Sequence, residues 1–279
     1  MDMATDIMAM GMEIITMDIN KSNMKIKTYV INLKDSTVRR KAVLAETAKY
    51  PIMDVELVEA VDGRNMKPEE IEKCFNIQKF INRYYRAPKG GEIGCTLSHR
   101  KCYRKLLDSN EEFALILEDD VHFMYPEDVN TILEEILNKI QCSEPYFITF
   151  TMHFIYHPKK CRRIGKYVFH EIYNAYGTCA YLINRNAARC LLSESYPFTV
   201  ADDYPFIRGK EIIVEGIYPT FAVSASTNMI QTEIQDEEKV FIRKSLLQYL
   251  KLYCGVLHRK VLRLFGKLSY RPYKNGINF

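Results

Sequence analysis

Residues 113–123, Phe-Ala-Leu-Ile-Leu-Glu-Asp-Asp-Val-His-Phe, set an unbroken apolar run directly against three consecutive acids. A buried strand delivers carboxylates to the rim of a sheet in this way. Three carboxylates crowded into a poorly solvated place repel one another and stay ionised only beside a compensating charge. A hard divalent cation, Mn²⁺ or Mg²⁺, supplies that charge and favours oxygen ligands. Side chains alternate along an extended strand, so Glu118 and Asp120 are expected on one side, sharing the ion. Asp119 would then face a ribose, a backbone amide or a supporting partner. If the ion also grips a diphosphate, the chemistry is transfer from a nucleotide-activated donor. The competing expectation is a solvated strand end followed by a helix cap.

A second acidic pair, Asp202-Asp203, follows the loop Ser195-Tyr-Pro-Phe-Thr-Val-Ala and precedes a short predicted helix. Adjacent acids can raise one another's pKa, which suits a general base. Equally, they are the residue types that cap a helix and fill its first turn. Attack of a hydroxyl on a sugar carbon with loss of a diphosphate needs a base for the proton and positive charge for the leaving oxygens. A metal meets the second need, so one carboxylate base suffices where a glycosidase needs a carboxyl acid as well.

The elements that must position these groups alternate along the chain. Residues 27–33 read as a buried strand, Lys34-Asp35-Ser36 as a turn, and the following stretch as a helix to about Tyr50. Val55, Leu57 and Val58 mark a second strand closed by Asp62-Gly63. Residues 64–90 are polar, with Pro68 and Pro88, and read as an inserted loop and short helix. A helix is expected from Gly90-Gly91 to about Asp108, leading into the acidic strand. Val129, Ile132, Leu133, Ile136, Leu137 and Ile140 recur at helical spacing. Residues 146–151, 166–173 and 178–183 look like strands, and 186–194 like a short helix. This order predicts an α/β fold, a Rossmann-like three-layer sandwich with a mostly parallel central sheet.

At 279 residues and 47% apolar content the chain can bury a full core. Its net charge is only +4, but residues 240–279 hold nine Lys or Arg and no acid. In that segment Leu246, Leu250, Tyr253, Leu257, Val261, Leu264 and Leu268 recur at spacings of four and three among basic residues. A basic amphipathic helix is expected, either lying on an anionic membrane surface or docked on the catalytic domain. No nucleic-acid-binding motif accompanies the charge. The eight cysteines include no Cys-x-x-Cys pair, which fits a reduced cytoplasm. Residues 1–24 hold seven of the twelve methionines, six of them before Met24, and acids where a secretory signal carries Lys or Arg. They are expected to be a disordered leader or a mis-assigned start, followed by one catalytic domain over 25–239 and the basic helical tail over 240–279.

Six motifs in order make the chain resemble glycosyltransferase family 25, the lipopolysaccharide biosynthesis enzymes related to the collagen galactosyltransferases. They are Tyr29-Val-Ile-Asn-Leu with Arg39-Arg40, Glu59-Ala-Val-Asp-Gly63, Gly91-Glu-Ile-Gly-Cys-Thr-Leu-Ser-His99, Leu115-Ile-Leu-Glu-Asp-Asp-Val121, Gly177-Thr-Cys-Ala-Tyr-Leu-Ile183 and Ala201-Asp-Asp-Tyr-Pro-Phe206. The resemblance implies a GT-A-like fold, a divalent metal, a UDP-sugar donor, commonly UDP-galactose, and inversion at the anomeric carbon. It implies Asn32, Arg39 and Arg40 at the nucleotide end, Asp62 near base or ribose, and Ser98 and His99 beside the donor. Glu118 and Asp120 fall at the metal with Asp119 on the donor side, and Asp202 or Asp203 falls toward the acceptor as base. A third metal ligand among His153, His157 and His170 is left unassigned. Ser224 to Thr227 departs from the Gln- or Asn-bearing segment of the family.

The expected activity is transfer of a hexose, galactose by resemblance, to a saccharide or lipid-linked saccharide of lipopolysaccharide or a related surface glycan. The cytoplasm is the expected location, with peripheral attachment to the inner membrane if the tail binds lipid. Two rivals remain. One is a metal-dependent nucleotidyltransferase, although Asn32-Leu-Lys-Asp-Ser-Thr lacks the glycine-rich loop such enzymes carry. The other is a non-catalytic carbohydrate-binding scaffold, against which both acidic clusters argue.

Overall fold

The computed structural model describes residues 24–140, 143–151, 153–225 and 245–271; the expected leader, residues 1–23, lies outside them. The chain opens with β1 (Ile26–Asn32), α1 (Thr37–Thr47) and β2 (Met53–Glu59). Two short helices, α2 (Pro68–Glu72) and α3 (Ile77–Tyr84), then lead to α4 (Gly90–Asp108) and β3 (Phe113–Glu118). A turn connects β3 to β4 (Val121–Phe123), followed by α5 (Val129–Lys139) and β5 (Tyr146–Thr149). A long hairpin of β6 (His153–Ile164) and β7 (Tyr167–Tyr176) precedes β8 (Ala180–Asn184), α6 (Arg185–Leu192) and α7 (Tyr204–Arg208). The described chain finishes with β9 (Ile213–Tyr218), β10 (Ala222–Ser224), α8 (Leu246–Leu264) and β11 (Ser269–Arg271).

Nine strands form one sheet in the order β11-β6-β7-β9-β5-β8-β3-β1-β2, and β10 pairs with β4 in a second, two-stranded sheet. The expected three layers are present. Leu115 and Leu117 point into a core shared with Val43, Leu133 and Ile136 of α1 and α5. Ala114 and Ile116 point into the opposite core, shared with Cys102, Leu106 and Leu191 of α4 and α6. The sheet is mixed, however, and not mostly parallel. Only β1 with β2, β1 with β3, and β5 with β9 are parallel, and β8 runs antiparallel to both its neighbours. A strand buried on both faces is apolar throughout whichever way it runs, so element order alone left the direction of β8 undetermined.

Two further expectations change. Residues 64–90 are not a loop with one helix: Phe75, between α2 and α3, and Phe80 of α3 form a small core against Ile93 and Leu97 of α4. Residues 153–164, which fall between the expected strands 146–151 and 166–173, form β6. Its middle is polar and exposed, and its register with β7 shifts between Tyr156 and Cys161, which erases the alternation that marks a strand.

The register of β3 decides where the acids emerge. Burying a Leu or Ile contributes about 1.5–3 kcal/mol, and Leu115, Ile116 and Leu117 are fully buried. A one-residue slip would draw the Glu118 carboxylate into that core, at a cost of several kcal/mol. The helix feeding β3 is equally constrained at its start. Glu92 accepts from the backbone of Lys89 at 2.9 Å and takes both terminal nitrogens of Arg86 at 2.6 and 2.7 Å. Gly63, Gly90 and Gly94 then let the loop after β2 lie directly on this helix. A methyl group on Gly94 would sit 2.3 Å from the Val61 carbonyl oxygen, and one on Gly63 2.1 Å from that of Gly90. Gly94→Ala is therefore expected to lose about 1–3 kcal/mol in urea unfolding; an unchanged midpoint would contradict this packing.

Candidate functional site

β1 and β3 run parallel, so Asn32 and Glu118 end side by side, and the carboxyl ends of parallel strands are where α/β sheets open a crevice. A cleft of about 420 Å³ lies there. Its wall is drawn from separate segments: Asn32 and Arg39, Asp62 to Arg64, Cys95 with Ser98 and His99, Glu118 to Asp120, Thr151 with His153, and Tyr176 to Cys179.

All three acids line this cleft. The alternation expected for them does not apply, because β3 stops at Glu118 and Asp119-Asp120 form the turn into β4. Each acid has its own partners. Glu118 Oε1 accepts from Thr178 Oγ1 at 2.6 Å and lies 3.3 Å from His99 Nε2. Burial works to raise its pKa, but the hydrogen bonds from His99 and Thr178 and the Arg39 charge leave it below the usual glutamate value. Asp119 accepts from Asn32 Nδ2 at 2.7 Å and Arg39 Nη1 at 3.2 Å. Its burial outweighs both, with the neighbouring Asp120 charge adding to it, and its pKa is raised. Asp120 Oδ2 accepts from Ser224 Oγ at 2.5 Å, a contact made by pairing β10 with β4.

The remaining expected residues divide. Asp62 caps a 3-10 turn and is held by Arg64 Nε at 2.8 Å and Nη2 at 3.0 Å, which with these bonds first keeps its pKa low. Arg40 does not line the cleft. Its Nε donates to Asn32 Oδ1 at 2.8 Å and its Nη2 to the Leu33 and Lys34 carbonyls, so it orients Asn32 for Asp119. Ser98 Oγ accepts from Val61 N at 2.8 Å and donates to the Gly94 carbonyl at 2.7 Å, fastening the loop to α4. His99 is buried, its Nδ1 2.7 Å from Tyr181 Oη, which in turn donates to Tyr103 Oη at 3.0 Å.

The two candidate bases prove different. Asp203 is buried and wholly committed: it takes Arg83 through two nitrogens, accepts from Tyr84 Oη, and caps α7 through the Phe206 amide at 2.9 Å. This is the helix-capping alternative, strengthened by an ion pair, and it removes Asp203 as a base. Asp202 Oδ2 accepts from the Gly177 amide, a cleft residue, at 3.0 Å. Burial raises its pKa, and the charges of Glu118 and Asp203 push the same way. Of the three histidines left unassigned as a third ligand, His153 lines the cleft; His157 lies 3.2 Å from the Lys267 carbonyl and His170 packs on the Tyr156 ring.

Several cleft residues carried no clear signal in the sequence. Tyr176 lines the mouth and is 55% exposed. Thr178 and Ser224 reach the acids only through the tertiary fold. Cys95 stands four residues before His99 on α4, and a Cys-x-x-x-His search of that helix would have flagged it. Its thiol, with those of the other described cysteines, forms no disulfide, and burial holds it well above the usual cysteine pKa.

The family model for Glycosyltransferase family 25 (LPS biosynthesis protein) matches residues 25–206. Procollagen galactosyltransferase 2 of Mus musculus is 37% identical over 101 residues, covering 34% of this chain and 16% of that protein. The procollagen lysyl hydroxylase and glycosyltransferase of Acanthamoeba polyphaga mimivirus is 30% identical over 192 residues, covering 61% of this chain and 20% of that protein. The matches thus span no more than about a fifth of these relatives' length. A solved glycosyltransferase involved in glycosylation of the major capsid of PBCV-1 shares 15% identity over 68% of this chain and 80% of its own, with a TM-score of 0.32, too low to carry an argument.

Proposed function

The chain belongs to glycosyltransferase family 25, and from that premise we propose that it is an inverting, metal-dependent transferase moving a hexose from a UDP-sugar to a saccharide acceptor. The observation that carries this reading is the meeting of Asn32, Arg39, Asp62 and the three acids, from four separate segments, in one cleft. Galactose is the favoured sugar because relatives are named as galactosyltransferases, and a lipopolysaccharide or related surface glycan is the favoured acceptor because of the family's description.

Asn32, Arg39, Asp62 and Arg64 surround the nucleotide end and offer amide, guanidinium and carboxylate groups to phosphate, ribose and base. His99 flanks the donor, and Ser98 supports it by holding the loop. The carboxylates of Glu118 and Asp120 suit Mn²⁺ or Mg²⁺, which would neutralise the charge growing on the departing diphosphate. At the far side Asp202 acts as general base. The acceptor oxygen bonds to the sugar C1, the bond from C1 to the phosphate oxygen breaks on the opposite face, and the hydroxyl proton passes to Asp202. The Gly177 amide fixes one Asp202 oxygen, and burial keeps the carboxylate basic enough to take a proton.

Asp202→Asn should retain UDP and Mn²⁺ binding and lose transfer by ~10²-fold or more, measured as acceptor-dependent UDP release; near wild-type turnover would remove Asp202 as the base. Because its pKa is raised, Asp202 stays protonated, and inactive, to a higher pH than an ordinary aspartate. The acid limb of kcat/KM should accordingly lie above about pH 4 and vanish in the residual activity of the variant.

We further propose that α8 holds the enzyme on an anionic membrane surface. Leu246, Tyr253 and Leu264 are 76%, 67% and 85% exposed, so the helix is not docked through these residues, and β11 ties the segment to β6. No described helix is long and apolar enough to cross a membrane. Each Arg or Lys near anionic lipid contributes about 1 kcal/mol. Arg259→Glu, Lys260→Glu and Arg263→Glu together should abolish sedimentation with phosphatidylserine vesicles while leaving UDP release unchanged; undiminished sedimentation would refute the attachment.

A further inference from the structure

We propose that Cys95, His99 and Glu118 form a second metal site, one that takes a thiophilic divalent cation such as Zn²⁺. The proposal stands whether or not the cleft binds a nucleotide sugar. Cys95 and His99 lie four residues apart on α4 and therefore share a helix face. That face meets the end of β3, and one ligand atom from each of the three residues lies within 4.8 Å of the other two. In a tetrahedral zinc site, bond lengths of about 2.0–2.3 Å put neighbouring ligand atoms about 3.3–3.7 Å apart. His99 Nε2 and Glu118 Oε1 are already at 3.3 Å. Closing the sulfur contacts takes a movement of about 1 Å, within the reach of side-chain rotation.

The histidine is held as metal-ligating histidines are held. Tyr181 donates its hydroxyl hydrogen to Tyr103, so its oxygen accepts from His99 Nδ1–H. Nε2 then faces Glu118 Oε1 at 3.3 Å across their hydrogen bond, and a cation can take the place of the proton between them. Cys95 supplies the third donor beside them. On binding, the cation displaces the thiol hydrogen and the proton between Nε2 and Glu118, and both leave to solvent. Thiolate and carboxylate then balance the two positive charges, neutral imidazole completes three ligands, and water or substrate takes the fourth position.

Sulfur and imidazole select Zn²⁺ or Co²⁺ over Mn²⁺ and Mg²⁺, whereas Glu118 with Asp120 presents only oxygen. The two sites share Glu118, so filling one draws that carboxylate away from the other. A thiophilic cation is thus a competitor of the hard cation.

Co²⁺ titrated into metal-free full-length protein, without nucleotide or sugar, tests the site. The expected result is one equivalent bound with thiolate-to-cobalt charge-transfer absorption and tetrahedral visible bands, displaced by Zn²⁺. Cys95→Ser should remove the charge-transfer band and lower Zn²⁺ affinity by ~10²-fold or more, since loss of even an outer partner costs about 10–100-fold. Cys254→Ser, at an exposed position, should retain both. His99→Gln supplies a second test should Cys95→Ser not fold. A wild-type spectrum lacking the charge-transfer band, or a band that survives Cys95→Ser, would overturn the proposal.

Discussion

The structure depends on how β3 ends. A strand buried on both faces cannot slip without carrying Glu118 into the core, so its termination ejects three carboxylates at one point on the sheet edge. Three negative charges in a concave, partly desolvated place are a problem of electrostatics before they are a site. The fold answers by giving each a different neighbourhood. Glu118 meets an imidazole and a hydroxyl, Asp119 a guanidinium and an amide, and Asp120 the hydroxyl of Ser224. Their pKa values separate accordingly, with Glu118 lowered and Asp119 raised.

Much of the remaining architecture serves to bring those neighbours in. Parallel pairing of β1 with β3 sets Asn32 beside Asp119, and Arg40 holds the Asn32 carboxamide from behind. Antiparallel insertion of β8 brings Thr178 to Glu118 from the other side. Glycine contacts between the loop after β2 and α4 press Asp62 and Arg64 against the cleft, and the Ser98 hydroxyl pins the same loop. Residues expected at the donor by resemblance therefore act at two levels. Asn32, Arg39, Asp62 and Asp119 face the cleft, while Arg40 and Ser98 spend their polar atoms keeping others in position.

The sequence made the acidic edge legible because an apolar run against three acids has few stable arrangements. Helix α4 was legible for a similar reason, since Gly90-Gly91 after Pro88 and the later apolar spacing bound it at both ends. Strand direction was not legible, because β8 carries no polar face to betray its orientation. Nor was β6, where polar residues and a shifted register broke the alternation. Asp202 and Asp203 show the limit at residue level. Adjacent acids before a short helix look alike in sequence, and only the distant Arg83 and Tyr84 commit one of them to structure. Cys95 was not legible because it belongs to a mixed pair with His99, four residues on along α4, and to no like-residue pair.

The central claim is that the acids at the end of β3 hold a divalent cation that receives a nucleoside diphosphate. Calorimetric titration of UDP into the full-length protein, with and without Mn²⁺, tests it most directly. The account predicts tight UDP binding only with Mn²⁺ and its loss in Asp120→Ala. UDP binding of equal affinity with and without Mn²⁺, or no uptake of either, would contradict it.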